Sequence, residues 1–139
     1  MMTLSELEAR VRRFFDERRE AVVAVYVFGS VAKGTATPSS DIDLGVLLAE
    51  TPPQTLDGRL LDAEAELEAE VAHPVQIIVL NDAPPDLVHR VLRDGKLLLD
   101  RDPSIRIRFE VRARNEFFDT QPFLERYRNV RPDTPVAGH

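Results

Sequence analysis

Apolar positions along the chain follow first a helical and then a strand-like spacing, and each change of period marks an element. Leu4, Leu7, Val11 and Phe14 recur at helical spacing behind a Thr3/Glu6 capping-box pattern, so a helix is predicted from residue 3 to about 19. Its other face carries Arg10, Arg12, Arg13, Arg18 and Arg19, a solvated face by its simplest reading. Residues 21–28 are almost uninterruptedly apolar, as in a strand covered on both sides and therefore central in its sheet. Gly29-Ser30 ends that run. One helical turn is expected over 30–34, and Pro38 keeps helix from continuing through the polar loop 35–40.

A second strand is read at 41–48, before Pro52-Pro53. Leu56, Leu60, Ala63, Leu67 and Val71 then place a helix over about 54–72, with Asp62, Glu64, Glu66, Glu68 and Glu70 as its solvating face. A third strand follows at 75–80. Asn81-Asp82 is expected to cap a helix with Pro84-Pro85 in its first turn and Gly95 as its stop. A short strand at 96–100 is placed at a sheet edge. Residues 105–114 alternate as a strand would, yet Ile105, Phe109, Ala113 and Phe117 form an i, i+4 stripe. The Asp102-Pro103 start signal and the length favour helix, interrupted before Pro122 and continued in packing by Phe123, Leu124 and Tyr127. Together these elements predict an α+β fold, a small mixed β-sheet covered by helices. Residues 1–131 are expected to form one domain and 132–139 a flexible tail.

Chemistry concentrates between the first two strands. Side chains alternate across a strand, so Asp41 and Asp43 point the same way, with Cα atoms about 6–7 Å apart. Two neighbouring carboxylates repel each other unless a cation lies between them, and Mg²⁺ suits such hard oxygen ligands. Gly29 leaves room for a ligand's close approach, and Ser30 opens a turn whose free N–H groups face it. Lys33 either reaches a phosphate or stays solvated, and Ser40 is placed to hydrogen-bond within the turn that presents Asp41. Two competing phosphate motifs fail. Gly29 and Gly34 have the P-loop gap, but Thr35-Ala36 follows in place of Lys-Ser/Thr, and no G-x-G-x-x-G occurs. His73 beside Pro74 reads as a turn residue, and His89 lies far in sequence from the carboxylates.

Glycine-serine, ten residues, then D-x-D (Gly29, Ser30, Asp41, Asp43) resembles the signature of the DNA polymerase β-like nucleotidyltransferase superfamily. With Gly34, Ser40 and Leu44 it is similar to the minimal nucleotidyltransferase branch, and the likeness runs from Val22 to about Tyr127. The resemblance implies the nucleotidyltransferase fold, Mg²⁺ held by Asp41 and Asp43, and ATP as substrate. It also implies phosphate binding at Gly29 and Ser30, in the setting of Lys33, Gly34 and Ser40. A HEPN-domain toxin is the implied partner, adenylylated on a tyrosine hydroxyl. One departure stands out. Where the family commonly carries a third carboxylate on the next strand, this chain has Gln76, a neutral amide that cannot act as a base. A catalytically weak antitoxin that neutralises its partner by contact alone is therefore the alternative. An RNA- or drug-directed enzyme is disfavoured, because no length remains for an additional substrate domain.

Composition narrows the setting. A chain of 139 residues, 43% hydrophobic and 30% charged, fits a soluble globular protein, and without cysteine it has neither disulfides nor thiolate metal sites. No apolar leader or membrane-length run is present, so a cytoplasmic protein is expected. The net charge of −6 argues against general nucleic-acid binding. That charge is uneven: residues 1–100 hold 10 Lys/Arg against 18 Asp/Glu, whereas 101–139 hold 8 against 6. Arg106, Arg108, Arg112 and Arg114, some of them exposed, are accordingly expected to contribute to partner binding.

Overall fold

The computed structural model describes residues 3–17, 21–37, 39–50 and 60–130, with side chains described to residue 118. Helix α1 (Leu4–Asp16) begins on Thr3, whose hydroxyl accepts the Glu6 N–H at 3.1 Å. Strand β1 (Val22–Phe28) is buried along its whole length, as its unbroken apolar run requires. The order continues with α2 (Gly29–Lys33), β2 (Ile42–Leu48), α3 (Leu61–Val71), β3 (Val75–Val79), α4 (Pro85–Asp94), β4 (Lys96–Asp100) and α5 (Pro103–Val130). In the sheet the strands run β3-β2-β1-β4, so β1 is internal and β4 lies at an edge. Strand β1 is antiparallel to β2 and β4, whereas β2 and β3 are parallel. The mixed α/β architecture is the one the hydrophobic pattern predicts.

Each face of the sheet has its own core. Leu7, Val11 and Phe15 of α1 and Leu67 of α3 pack on Val25, Val27, Leu44 and Ile77. Val88 and Val91 of α4, with Phe109 and Ala113 of α5, cover Val23, Tyr26, Phe28 and Leu47 on the other face. A bulge between Val22 and Ala24 lets Val23 and Ala24 serve the same face, after which strict alternation returns. In β2 that alternation sends Ile42 and Leu44 toward α1 and α3 and leaves Asp43 on the α4/α5 face.

Several local expectations change. The helix expected from about 54 starts at Leu61, and residues 51–59 lie outside the described residues. Its acidic row is not simply solvating. Glu64 is only 5% exposed and accepts the Ile77 N–H at 2.8 Å, and Glu68 accepts the Val75 N–H at 2.9 Å. Both carboxylates thus occupy donors of the edge strand β3 that would otherwise be open to another strand. Removing Glu64 as Ala should leave the buried Ile77 donor unpaired and cost about 1–3 kcal/mol of stability. Chemical denaturation would show it, with the exposed Ser5→Ala as a neutral reference; equal midpoints would contradict the edge role.

Asn81 does not cap α4, whose N-cap is Pro84. Its amide instead pairs with the Leu48 backbone, accepting that N–H at 2.9 Å and donating to its carbonyl at 2.8 Å. Asn81 therefore extends the sheet beyond the end of β3, a use that competes with capping for the same side chain. Segment 105–114 is helical, and Asp102 accepts the Ile105 N–H at 3.2 Å. The interruption expected before Pro122 does not occur: α5 continues to Val130, because a proline removes one donor and the bonds on either side can carry the helix past it. The tail at 132–139, with Arg131, is outside the described residues.

Candidate nucleotide site

The ends of three strands bring the sequence-defined chemistry together. Phe28, the last residue of β1, stands opposite Asp43, and Asp43 stands opposite Gln76 across the parallel β2–β3 pairing. Residues paired across neighbouring strands share a face, so Asp43 and Gln76 are side by side. Asp41, two positions before Asp43, opens onto the same face and is exposed. The Ile42 N–H donates to the Pro74 carbonyl at 2.8 Å, tying the starts of β2 and β3 together.

Gly29 fits against this carboxylate. Its φ of +72° lies in the left-handed region, and a Cβ there would overlap the Asp43 carboxylate oxygen. The chain therefore needs glycine twice at this position, for its backbone and for its neighbour. Ser30 follows in the first turn of α2, and its carbonyl accepts the Thr35 N–H at 3.0 Å. Gly34 ends α2 at φ +74° with open space where a Cβ would be, so its glycine is accounted for by helix termination.

Ser40 acts within the loop. Its hydroxyl accepts the Thr37 N–H at 2.8 Å and lies 3.2 Å from the Thr37 hydroxyl, fixing the turn ahead of Asp41. Lys33 lies 4.0 Å from Asp94 at the end of α4 and is exposed. Asp94 is held more closely by Arg93, at 2.9 and 3.0 Å, so its contact with the exposed Lys33 is the looser of the two. His89 is turned to α5, stacked on Phe117 with centroids 3.7 Å apart.

Asp43 is half-buried, and its carboxyl is held above the ordinary carboxylate range by that burial first and by the Asp41 charge second. A carboxylate so destabilised is one that a cation would relieve, and the two-aspartate donor set fits Mg²⁺. Among the described residues no group of three or more acidic, His or Cys side chains gathers for a metal. Asp41 and Asp43 are the carboxylates at this edge that could hold such an ion, whose hard oxygen ligands commonly include one or two protein carboxylates.

Sequence reasoning missed one polar cluster on the α4/α5 face. Buried Tyr26 donates to Glu110 at 2.7 Å, and Arg106 donates to Glu110 and to Asp100, each at 2.9 Å. Burial, then the Glu110 hydrogen bond and charge, push the Tyr26 hydroxyl far above its ordinary value, so it stays protonated. Arg106 is thus held inside the fold, joining α5 to β4, whereas Arg108, Arg112 and Arg114 are exposed, as expected of some of the four. The i, i+4 spacing of Arg106 and Glu110 was the available signal.

A mixed sheet with a glycine-serine turn facing paired aspartates on the adjacent strand is the framework of a nucleotidyl-transferring domain. The chain belongs to the polymerase beta nucleotidyltransferase family, whose model matches residues 10–104. Its fold is similar to a chain from a toxin–antitoxin complex solved with AMP-PNP, at TM-score 0.72 and 24% identity over 91% of this chain and 95% of that one. It is also similar to a chain in the complex of tri-AMPylated Shewanella oneidensis HEPN toxin with MNT antitoxin, at TM-score 0.67 and 20% identity over 93% and 95%. A third structure, provisionally assigned as a minimal nucleotidyltransferase, is 33% identical over 68% of this chain and 95% of that one, with TM-score 0.52. No curated protein sequence matches significantly.

If the Gly29-Ser30 turn holds phosphate, its two residues should fail unequally. Gly29→Val should abolish detectable Mg·ATP binding, since its side chain would collide with Asp43 from a backbone conformation that β-branched residues avoid. Ser30→Ala should lose only a hydrogen bond to a charged group, about 1.5–3 kcal/mol. Calorimetric titration of folded variants measures both. Wild-type affinity in both would remove the phosphate from this turn.

Proposed function

We propose that this chain is an antitoxin that binds Mg·ATP at the Gly29/Asp41/Asp43 edge and transfers AMP to a tyrosine hydroxyl of a HEPN-domain toxin, in the cytoplasm. The observation that carries this reading is the placement of Asp43 between Gly29 and Gln76, with Asp41 on the same face. The complexes of similar fold, with AMP-PNP in one and an AMPylated HEPN toxin in another, support the choice of substrate and partner.

In the proposed reaction the tyrosine oxygen forms a bond to the α-phosphorus as the bond from that phosphorus to the bridging oxygen breaks. Pyrophosphate leaves, and the phenolic proton passes to solvent water. Asp41 and Asp43 would hold the Mg²⁺, whose chemistry is to neutralise charge on the triphosphate. Gly29 keeps the approach to Asp43 open, Ser30 donates to phosphate, and Ser40 fixes the loop that aims Asp41. Lys33 exchanges Asp94 for phosphate.

Gln76 favours a second reading, a weak catalyst that neutralises its partner by binding. Its amide can orient a hydroxyl or a water but cannot accept the proton. Label transfer separates the readings. With a HEPN partner that co-purifies with this chain, label in the α-phosphate of ATP should appear on the partner and label in the γ-phosphate should not. A stable complex without either label would establish binding alone.

A further inference from the structure

The exposed face of α5 carries an apolar pattern that, apart from edge contacts of Phe118 with Phe117 and His89, no packing among the described residues covers. Ile107, Val111 and Phe118 are 50%, 50% and 58% exposed, although all three are large and apolar. With Arg114 they are spaced four, three and four residues apart, the heptad spacing of a coiled-coil seam. At about 100° per residue these positions fall within roughly 60° of one another. The buried Phe109 and Ala113, which pack the same helix against the sheet, lie on the opposite side. The helix is therefore apolar on two sides, and the described residues cover only one of them.

The charges beside the seam restrict what can cover it. Arg108 is exposed and, among the described residues, donates to the Ser104 carbonyl of its own helix at 3.4 Å. Arg114 lies in the seam itself, half-exposed and 3.8 Å from Glu110. Glu110 is already committed to Tyr26 and Arg106. The exposed charges in and beside the seam are thus the cations Arg108 and Arg114, the flanking Glu110 being mostly buried and paired with Arg106, on a chain that is acidic overall. A 3.5-residue period suits a helix packed nearly alongside, and the cations suit carboxylates facing them.

We infer that the Ile107–Val111–Phe118 face of α5 docks a helix of a partner protein, one with an apolar seam flanked by acidic residues. The surface stands on α5 alone and does not depend on nucleotide chemistry at the sheet edge. A second copy of this chain is the competing occupant, because α3 also presents carboxylates such as Asp62 and Glu66 beside the exposed Leu61.

The test uses two synthetic peptides of about four heptads with leucine seams, one flanked by Glu and one by Lys, each kept monomeric by its own like charges. Titrated against the full chain, the Glu-flanked peptide should bind and weaken as salt rises, and the Lys-flanked peptide should not bind. Val111→Asp should abolish binding. The pair Arg108→Glu and Arg114→Glu should weaken the Glu-flanked peptide by about tenfold or more and admit the Lys-flanked one. Every variant should keep its melting temperature and its Mg·ATP titration, which separates failure of this surface from failure of the nucleotide site. Equal binding of both peptides, no binding of the acidic one, or indifference to Val111→Asp would overturn the inference. So would a concentration-dependent dimer of the chain alone that Val111→Asp dissolves in sedimentation velocity, because the face would then belong to a second copy.

Discussion

Replacing both aspartates, Asp41→Asn with Asp43→Asn, should remove Mg²⁺-dependent ATP binding while the protein stays folded. The triphosphate and the two carboxylates carry like charge, so their association depends on the cation between them. Affinity should fall by about tenfold or more, at least 1.4 kcal/mol. The effect on the fold should have the opposite sign. Burial and Asp41 hold the Asp43 carboxyl above its ordinary value. The folded chain therefore binds that proton more readily than the unfolded one, and ionised Asp43 opposes folding at neutral pH. The opposition fades as pH falls below both values. In metal-free buffer Asp43→Asn should accordingly melt higher than wild type near neutrality, and the two should converge in acid. Added Mg²⁺ should raise the wild-type melting temperature and leave the double variant unmoved. Unchanged Mg·ATP affinity in the double variant would disprove the metal assignment.

The second large effect concerns Gln76. It is paired with Asp43 across β2 and β3, so an introduced carboxylate would enter the same face as the two aspartates. It could accept the phenolic proton or ligate a second cation, and a positioned general base typically contributes about 10²–10⁴-fold to rate. Gln76→Asp should therefore raise AMP transfer within that range, against slow transfer by wild type. Asp82 is exposed in the turn beyond the far end of β3, so Asp82→Asn should change nothing. Fast wild-type transfer that is lost in Gln76→Asp would mean that the glutamine is fitted to the site and the catalyst is not weakened.

Much of this edge was legible because its signals are local. The unbroken run at 22–28 implied a doubly covered strand, Gly29-Ser30 marked its end, and the period of two put Asp41 and Asp43 on one face. Thr3 and Asp102 announced helix starts through side chains that reach only three residues. What escaped depends on partners distant in sequence. Nothing local distinguishes Glu64 and Glu68 from solvated carboxylates, because their partners belong to β3. Asn81 shows the same side chain whether it caps a helix or pairs with Leu48 of another strand. Lys33 meets Asp94, and Tyr26 meets Glu110, only through tertiary packing. Arginine density suggested a partner surface but did not separate the internal Arg106 from the exposed Arg108. The apolar line along α5 was hidden because its members alternate with the core residues that first identified the helix.

The most direct test of the metal–nucleotide site is anomalous diffraction from crystals grown with Mn²⁺ and a non-hydrolysable ATP analogue, Mn²⁺ replacing Mg²⁺ on oxygen ligands. The manganese peak should lie within bonding distance of carboxylate oxygens from both Asp41 and Asp43, with the analogue's phosphates against Gly29 and Ser30. A peak away from both aspartates, or an analogue bound elsewhere with this edge bare, would contradict the assignment.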